Sequence, residues 1–395
     1  MKILMLTPYL PYPLLSGGQI RTFNLLKQLA SKHEITLFAL IKDPSERKHI
    51  KQLQPFCKQV RVFKRSQKPF TLKNILKTGF SSYPFLVMRN HVPEAVEAVK
   101  TELATTQYDL IHAETFYMMP HIPETSTPIL LVEQTIEYLG YESFTKKRLP
   151  PLRWLLNIDV KKIKHWEKYY WLQADSLVTM SQEDQEFIRH HVRRPEKVKV
   201  VSNGVDSAWF SQKKSQLPQD LTIVYVGTFK WLPNIEAARF LVEKVWPFIT
   251  QLVPNAKLKI VGNAPTKEIL EYQQQDNRIK VMGQVKDIRD SFTSAHLLLA
   301  PVFSGKGTRY KVLESMACGT PVVASTIAVE GLNLVHNKHA LISNSPQEMT
   351  RFAHQLFTDR KLWQRLSAEG KKYVNSKFDW QIISRQLDQI YQSMG

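Results

Sequence analysis

The stretch Ala300-Pro301-Val302-Phe303-Ser304-Gly305-Lys306-Gly307-Thr308-Arg309-Tyr310-Lys311-Val312-Leu313-Glu314-Ser315-Met316-Ala317-Cys318-Gly319-Thr320-Pro321-Val322-Val323-Ala324 reads as strand, glycine loop, helix, stop and second strand. Within it Tyr310, Leu313 and Ala317 fall at i, i+3 and i+7, one stripe of a helix that faces a core, and Glu314 lies off that stripe. Gly319 stands where a helix closes in the left-handed conformation, and Pro321 cannot continue it. Ahead of the helix, Gly305 and Gly307 let backbone amides approach an anion closely, while Lys306, Arg309 and Lys311 bring three positive charges to the helix start. A cation beside the positive end of a helix dipole costs up to about 1 kcal/mol, so a bound anion, or an acid elsewhere in the fold, relieves the conflict. The plainer alternative is a solvated helix start with ordinary surface basics.

The same rhythm of short apolar runs and longer helical stretches fills the chain on either side. Ile3 to Leu6, Ile35 to Ile41, Val60 to Phe63, Leu110 to His112, Ile129 to Val132, Leu177 to Met180 and Val198 to Val201 form one set of expected strands. Leu221 to Val226, Leu258 to Val261, Ile279 to Met282, Leu297 to Ala300 and Pro321 to Ala324 form a second. Continuous apolar strands separated by helices predict parallel sheets covered on both faces, and two sets predict two doubly wound α/β domains. Polar Ser207 to Asp220, with Pro218, is the expected linker. The domains are then 1–206 and 207–377, with a final helix at 378–395 expected to pack back on the first. Ligands of such sheets bind beyond the carboxyl ends of the strands, so two facing sheets predict a cleft between them.

A length of 395 residues suits two domains, and 43% hydrophobic content excludes a disordered chain. With 54 Lys and Arg against 35 Asp and Glu the net charge is +19, which favours anionic partners. Cys57 and Cys318 lie too far apart in sequence for a disulfide framework or a CxxC metal cluster, which fits a reducing compartment. The first apolar run is cut short by Pro8, Pro11 and Pro13 and reads as a buried strand rather than a signal peptide. No run of 18 apolar residues exists, so any membrane contact is expected to be peripheral.

Known nucleotide-binding loops are absent. Val226 leads into Gly227-Thr228-Phe229-Lys230-Trp231-Leu232 rather than GxGxxG, which argues against a dinucleotide dehydrogenase. A Walker loop is missing, as is an Asp-x-Asp pair to hold a divalent ion on a diphosphate. Cationic side chains and helix N-termini remain as a way of holding a diphosphate without a metal or cofactor.

Gly305 to Ala324 resembles the donor-site signature of retaining GT-B glycosyltransferases of family 4, the glycosyl transferases group 1 class, in the branch reading Gly-Thr-Arg-x-Lys-Val-Leu-Glu. The likeness extends to Ser16-Gly17-Gly18, Asp109-Leu110-Ile111-His112, Val201-Ser202-Asn203-Gly204-Val205-Asp206, Val226-Gly227 and Phe378-Asp379-Trp380, in that order. It implies two Rossmann-like domains facing a cleft, a nucleotide-diphosphate sugar as donor, and a glycan or lipid-linked acceptor. The resemblance implies that Glu314 corresponds to the second glutamate of the family's E-x7-E motif, which commonly holds the ribose of the donor; a carboxylate accepts two hydroxyl hydrogen bonds there. Eight residues back stands Lys306, so the first glutamate is missing. The Arg and Lys that many members carry after the first strand of the nucleotide domain are also missing, with Lys230 the single cation there and Thr228 and Asn234 near the pair's positions. Our reading is that Arg309 and Lys311 have taken over charge neutralisation of the leaving diphosphate.

By the same resemblance Gly227, Gly307 and Thr308 belong to the donor site, and Gly17 and Gly18 to the donor phosphate and acceptor. His112, at an expected strand end, is a catalytic candidate, and Glu114, Glu133 and Glu137 are candidates for contacting acceptor hydroxyls. His112 can equally be a satisfied structural histidine. No convincing nucleophile stands at the donor loop, so the resemblance implies same-face attack in which the departing phosphate helps to deprotonate the acceptor.

Charge is also unevenly spread. From Arg47 to Pro93 eleven Lys or Arg occur without an acid, interleaved with Phe56, Phe63, Phe70, Phe80, Tyr83 and Phe85. Lys146 to Trp171 carries Trp154, Leu155, Leu156, Trp166, Tyr169 and Tyr170 among further basics. Basic residues near anionic lipid contribute on the order of 1 kcal/mol each, so these stretches predict docking on the cytoplasmic face of a membrane to reach a lipid-linked acceptor. The alternative is that the aromatics are core and the charges solvated. A GT-B nucleotide-sugar epimerase is a second reading of the whole chain, and a noncatalytic basic protein on membrane or RNA a third. No aromatic RNA-binding pattern is present, so nucleic acid is not an expected partner.

Overall fold

Short runs rich in Val, Ile and Leu, too brief for helices and in the central strands buried on both faces, become the strands of two all-parallel sheets. A computed structural model describes residues 1–67, 71–146, 148–213, 216–305 and 310–395. The described chain divides into two compact units, Met1–Asn203 with Ile383–Gly395, and Gly204–Ile382.

The first unit holds β1 (Lys2–Thr7), β2 (Glu34–Ile41), β3 (Gln59–Lys64), β4 (Leu110–Glu114), β5 (Ile129–Glu133), β6 (Ser176–Thr179) and β7 (Val198–Val200) in the order β3-β2-β1-β4-β5-β6-β7. In β1, Ile3, Leu4 and Met5 are wholly buried, as are Leu110 and Ile111 beside them in β4. Each such side chain contributes roughly 1.5–3 kcal/mol by leaving water. The helix after β1 spans Gly17–Leu29, and the Ser16 hydroxyl caps it by accepting the Gln19 N–H at 3.4 Å. β4 runs to Glu114, two residues beyond the expected end, because Ala113 and Glu114 still pair with Leu131 and Val132 of β5. His112 is therefore an interior strand residue and not, as expected, a residue at the strand's end.

The second unit holds β8 (Thr222–Val226), β9 (Lys257–Val261), β10 (Ile279–Gly283), β11 (Leu297–Ala300), β12 (Val322–Ala324) and β13 (Leu341–Ile342) in the order β10-β9-β8-β11-β12-β13. β13 was not expected: two residues are too few to show a pattern, and its place is set by pairing with Val323 and Ala324. Between β11 and β12 the helix Tyr310–Cys318 buries Val312, Leu313, Met316 and Ala317. Gly319 closes it at φ 84°, the left-handed conformation anticipated there.

The stretch expected as a linker, Ser207 to Asp220, begins instead with a short helix, Ser207–Ser211, capped by Asp206 and burying Phe210 in the second unit's core. The unit boundary lies at Asn203/Gly204 because Val205 is already sewn into the second unit, donating to the Phe378 carbonyl at 2.7 Å and accepting from the Trp380 N–H at 3.2 Å. No helix among the described residues is long and apolar enough to cross a membrane.

Candidate functional site

In both sheets the strand order reverses beside the first strand, at β1/β4 and at β8/β11. Loops leaving adjacent strands in opposite directions open a crevice there, which is where doubly wound sheets take their ligands.

At the β8/β11 point the loop Gly227 to Trp231 enters the helix Leu232–Phe240. Backbone passes very close by: a Cβ on Gly262, whose φ is +148°, would stand 1.7 Å from the Gly227 carbonyl oxygen. Gly262 was not singled out by the sequence, since nothing in Val261-Gly262-Asn263 announces a crossing. Asn234 is held by its side-chain N–H donating to the Thr228 carbonyl at 2.9 Å. Onto this loop comes Lys311, from the helix after β11. Its Nζ donates to Asn234 Oδ1 at 2.9 Å and to the Tyr225 hydroxyl at 3.2 Å, and stands 4.4 Å from the centre of the Tyr225 ring. Lys311 is 9% exposed. A buried ammonium needs such partners to offset lost hydration.

On the same side, Ser304 donates to Glu236 at 2.7 Å, and Phe303 packs edge-on against Phe240 with ring centres 4.6 Å apart. Glu236 went unremarked in the sequence, and it brings an acid from the β8 side to the loop after β11. Glu314 is half-buried, and burial pushes its carboxyl up to about 7, with Lys311 opposing. Lys230 is exposed, and Gly227 is buried against Asn234. Lys306, Gly307, Thr308 and Arg309 lie outside the described residues.

At the β1/β4 point the polar residues form a closed network. His112 is fully buried; its Nδ1 pairs with the Tyr391 hydroxyl at 2.6 Å and its Nε2 with Glu114 Oε1 at 3.2 Å. Gln134 donates to Glu114 Oε2 at 2.7 Å and to the Tyr9 hydroxyl at 2.6 Å. Burial works to raise the Glu114 carboxyl, but His112, Arg21 and Gln134 together hold it below its ordinary range. Gly18 fits beneath this network because a Cβ there would meet the Tyr9 hydroxyl at 2.6 Å and Gln134 at 2.7 Å. Gly17 precedes it as the first residue of the helix.

The other two acceptor candidates sit together in a second buried group. Glu133 accepts the Trp171 indole N–H at 2.9 Å through one oxygen, and its second oxygen is buried and has no close hydrogen-bond partner among the described residues. Glu167, which the sequence reading passed over, accepts the backbone N–H groups of Glu137 at 2.7 Å and Tyr138 at 3.0 Å, capping the helix Glu137–Lys146. Burial pushes Glu167 up to about 8 and Glu137 up to about 7; burial, and then the charge of Glu167, raises Glu133 well above its ordinary value. A signal existed for Glu167: with Val160, Ile163 and Tyr170 it falls on the buried stripe of the helix Pro150–Gln173. The aromatics of that helix divide. Tyr170 and Trp171 are core, and Trp166 stacks on Tyr83, whereas Trp154 and Leu155 are 71% and 60% exposed.

Two doubly wound units of this topology define the GT-B class of glycosyltransferases. The pattern of Glycosyltransferase Family 4 matches residues 15–209 and that of Glycosyl transferases group 1 matches residues 220–359; the chain belongs to this family. A Klebsiella pneumoniae relative described as an uncharacterized 44.6 kDa protein in cps region is 20% identical over 356 residues, covering 87% of each chain. Among solved structures, sucrose-phosphate synthase from Thermosynechococcus elongatus superposes with a TM-score of 0.73 at 19% identity, covering 100% of this chain and 99% of that one. Anabaena HepE in complex with UDP superposes at 0.67 and 18% identity, with 100% of each chain covered.

Proposed function

We propose that the protein is a retaining hexosyltransferase that moves a sugar from a nucleotide diphosphate to a glycan or lipid-linked acceptor in the making of a cell-surface polysaccharide or glycolipid. The observation that carries this reading is Lys311, delivered from the helix after β11 onto Asn234 and Tyr225 at the mouth of β8. With Arg309 it supplies positive charge where a diphosphate leaves, and Glu314 accepts the ribose hydroxyls. The acceptor oxygen bonds to the anomeric carbon as the carbon–phosphate-oxygen bond breaks, and the acceptor's proton passes to the departing phosphate. UDP in HepE supports a uridine nucleotide as the first donor to try. In a thermal-shift screen of nucleoside diphosphates and their sugars, one base is expected to stabilise the chain selectively, by about 2.7 kcal/mol at 100 times its dissociation constant. Indifference to every nucleotide defeats the proposal, and a donor changed without any acceptor identifies an epimerase instead.

We also propose that the enzyme works at the inner face of an anionic membrane. Exposed Leu149, Leu152, Trp154 and Leu155 leave apolar surface around the start of the helix Pro150–Gln173, among exposed Lys146, Arg148 and Arg153. Apolar side chains between cations suit the headgroup zone. Trp154→Ser with Leu155→Ser is expected to reduce sedimentation with phosphatidylserine-containing vesicles roughly ten-fold or more, each buried side chain being worth about 1.5–3 kcal/mol. Equal sedimentation of the variant rejects the surface.

A further inference from the structure

The eleven cations between Arg47 and Pro93 are equivalent in the sequence, but among the described residues the structure sets Arg65 and Arg89 apart. Arg65 follows β3 and donates to Asn90 Oδ1 at 2.5 Å, at the end of the helix Phe85–Asn90. Arg89 is the neighbouring residue on that helix. The Nε of each guanidinium is buried and has no hydrogen-bond partner among the described residues. Elsewhere in this unit Lys162 reaches the carbonyls of Thr78 at 2.9 Å and Ser81 at 2.7 Å, and buried Lys197 that of Ala174 at 2.7 Å, while Arg21 and Arg189 also carry a buried Nε that has no partner among the described residues. Burial, and then the like charge of Arg89, makes the charged form of Arg65 harder to hold, with Tyr117 and Glu46 acting the other way. Arg89 also acts on Glu137, Tyr117 and Tyr141.

Arg65, Tyr117 and Glu137 follow the carboxyl ends of β3, β4 and β5, the edge of the sheet that takes ligands, and Arg89 joins them from the helix Phe85–Asn90. Next to Tyr117 the backbone is strained, with Thr115 at φ 73° and ψ 150°, and such strain gathers at ligand sites. Arg89 acts on Glu137, a carboxyl that burial raises to about 7, and Arg65 on Glu46 and Tyr117, so the pair's positive charge is only partly met and donors stay unused. A group with several anionic oxygens fits both deficits, since a guanidinium fork matches phosphate oxygens in pairs.

We propose that Arg65 and Arg89 form a subsite for a phosphoryl group carried by the acceptor. The inference rests on the first unit being the acceptor side of the proposed transferase. A phosphorylated sugar and a diphosphate-linked carrier share this chemistry.

The test is a calorimetric titration of the full chain with inorganic pyrophosphate, and separately with inorganic phosphate and acetate. Wild type is expected to show two pyrophosphate sites. Arg89→Gln and Arg65→Gln should each weaken one of them roughly ten-fold or more, as loss of a hydrogen bond to a charged group implies. Lys311→Met should remove the other and leave this one intact. Preference for pyrophosphate over phosphate points to a diphosphate-linked carrier and the reverse to a phosphorylated sugar; both support the subsite. Equal binding of acetate overturns the phosphoryl assignment, and unchanged titrations in both arginine variants overturn the site. Thermal unfolding accompanies each variant: Arg89→Gln removes both a like-charge neighbour of Arg65 and the cation that opposes burial at Glu137, effects of opposite sign, and should melt close to wild type, while a large fall shared by both variants marks a structural role and overturns the proposal. Because the readout is binding without turnover, a chain inactive on every nucleotide sugar that still shows this site defeats the transferase reading alone.

Discussion

Lys311→Met is expected to lower kcat by roughly two to three orders of magnitude, the effect of removing one preorganised group that meets developing charge. The ammonium sits 2.9 Å from Asn234 Oδ1, at 9% exposure, with its position set by Tyr225 beneath it. On the proposed reading a cation held this way needs no rearrangement as a diphosphate gains charge, whereas Lys230 is exposed. The fold should survive. Methionine fills the aliphatic path, and Asn234 keeps its bond to the Thr228 carbonyl, so the structural cost is about 1–2 kcal/mol. Glu314 also protects the variant. Its carboxyl is raised to about 7 by burial, and Lys311 pulls it down, so without Lys311 it is more fully protonated and no bare carboxylate is stranded. The folded form binds that proton more tightly than the unfolded one, so this group's contribution to stability falls as pH rises from about 4.5 through 7. In the variant the fall should extend above pH 7, visible as a steeper loss of melting temperature on the alkaline side. Steady-state kinetics with the donor found by thermal shift give the decisive readout. A structural role alone lowers melting temperature and leaves kcat; wild-type kcat in a folded variant rules out Lys311 as the counter-charge.

The strands were legible because parallel strands covered on both faces need continuous apolar runs, and Ile35 to Ile41 or Leu297 to Ala300 allow little else. The Gly319 stop was legible for an equally local reason, since a helix end needing positive φ selects glycine. What stayed hidden depended on direction. Helical spacing assigns Lys311 to the start of a helix, but only the folded chain shows it turned toward Asn234 and Tyr225. His112 carried a strand-edge expectation that failed once β4 extended to Glu114, and its two ring nitrogens are taken up inside the unit. Charge counting was blind to burial: it treated Arg65 and Arg89 like Lys48, and it buried Glu167 among lysines. The close passage of Gly262 over Gly227 joins two strands' ends that are far apart in sequence, and no pattern within either loop encodes it.

Deleting Ile383–Gly395 should cost the first unit its stability altogether. This segment belongs to that unit although the second lies between them in sequence. It buries Ile383, Leu387, Ile390 and Tyr391, and four such side chains are worth roughly 6–12 kcal/mol, comparable with the whole stability of a typical domain. Polar ties are lost as well. Asp388 pairs with buried His33 at 2.9 Å and with Lys32, and it is the group that opposes the effect of burial on His33. The Tyr391 hydroxyl is the partner of His112 Nδ1, so deletion opens the His112–Glu114–Gln134 network from its other end. Tyr391→Phe separates the two contributions: it keeps the ring and removes the hydroxyl, and should cost about 1–3 kcal/mol for the unsatisfied buried nitrogen. The deletion is expected in the insoluble fraction, or soluble without a cooperative transition assignable to the first unit, while Tyr391→Phe melts a few degrees below wild type. A truncated chain that unfolds with the wild-type midpoint and cooperativity would show that this helix merely lies on the surface, and that the buried network closes without it.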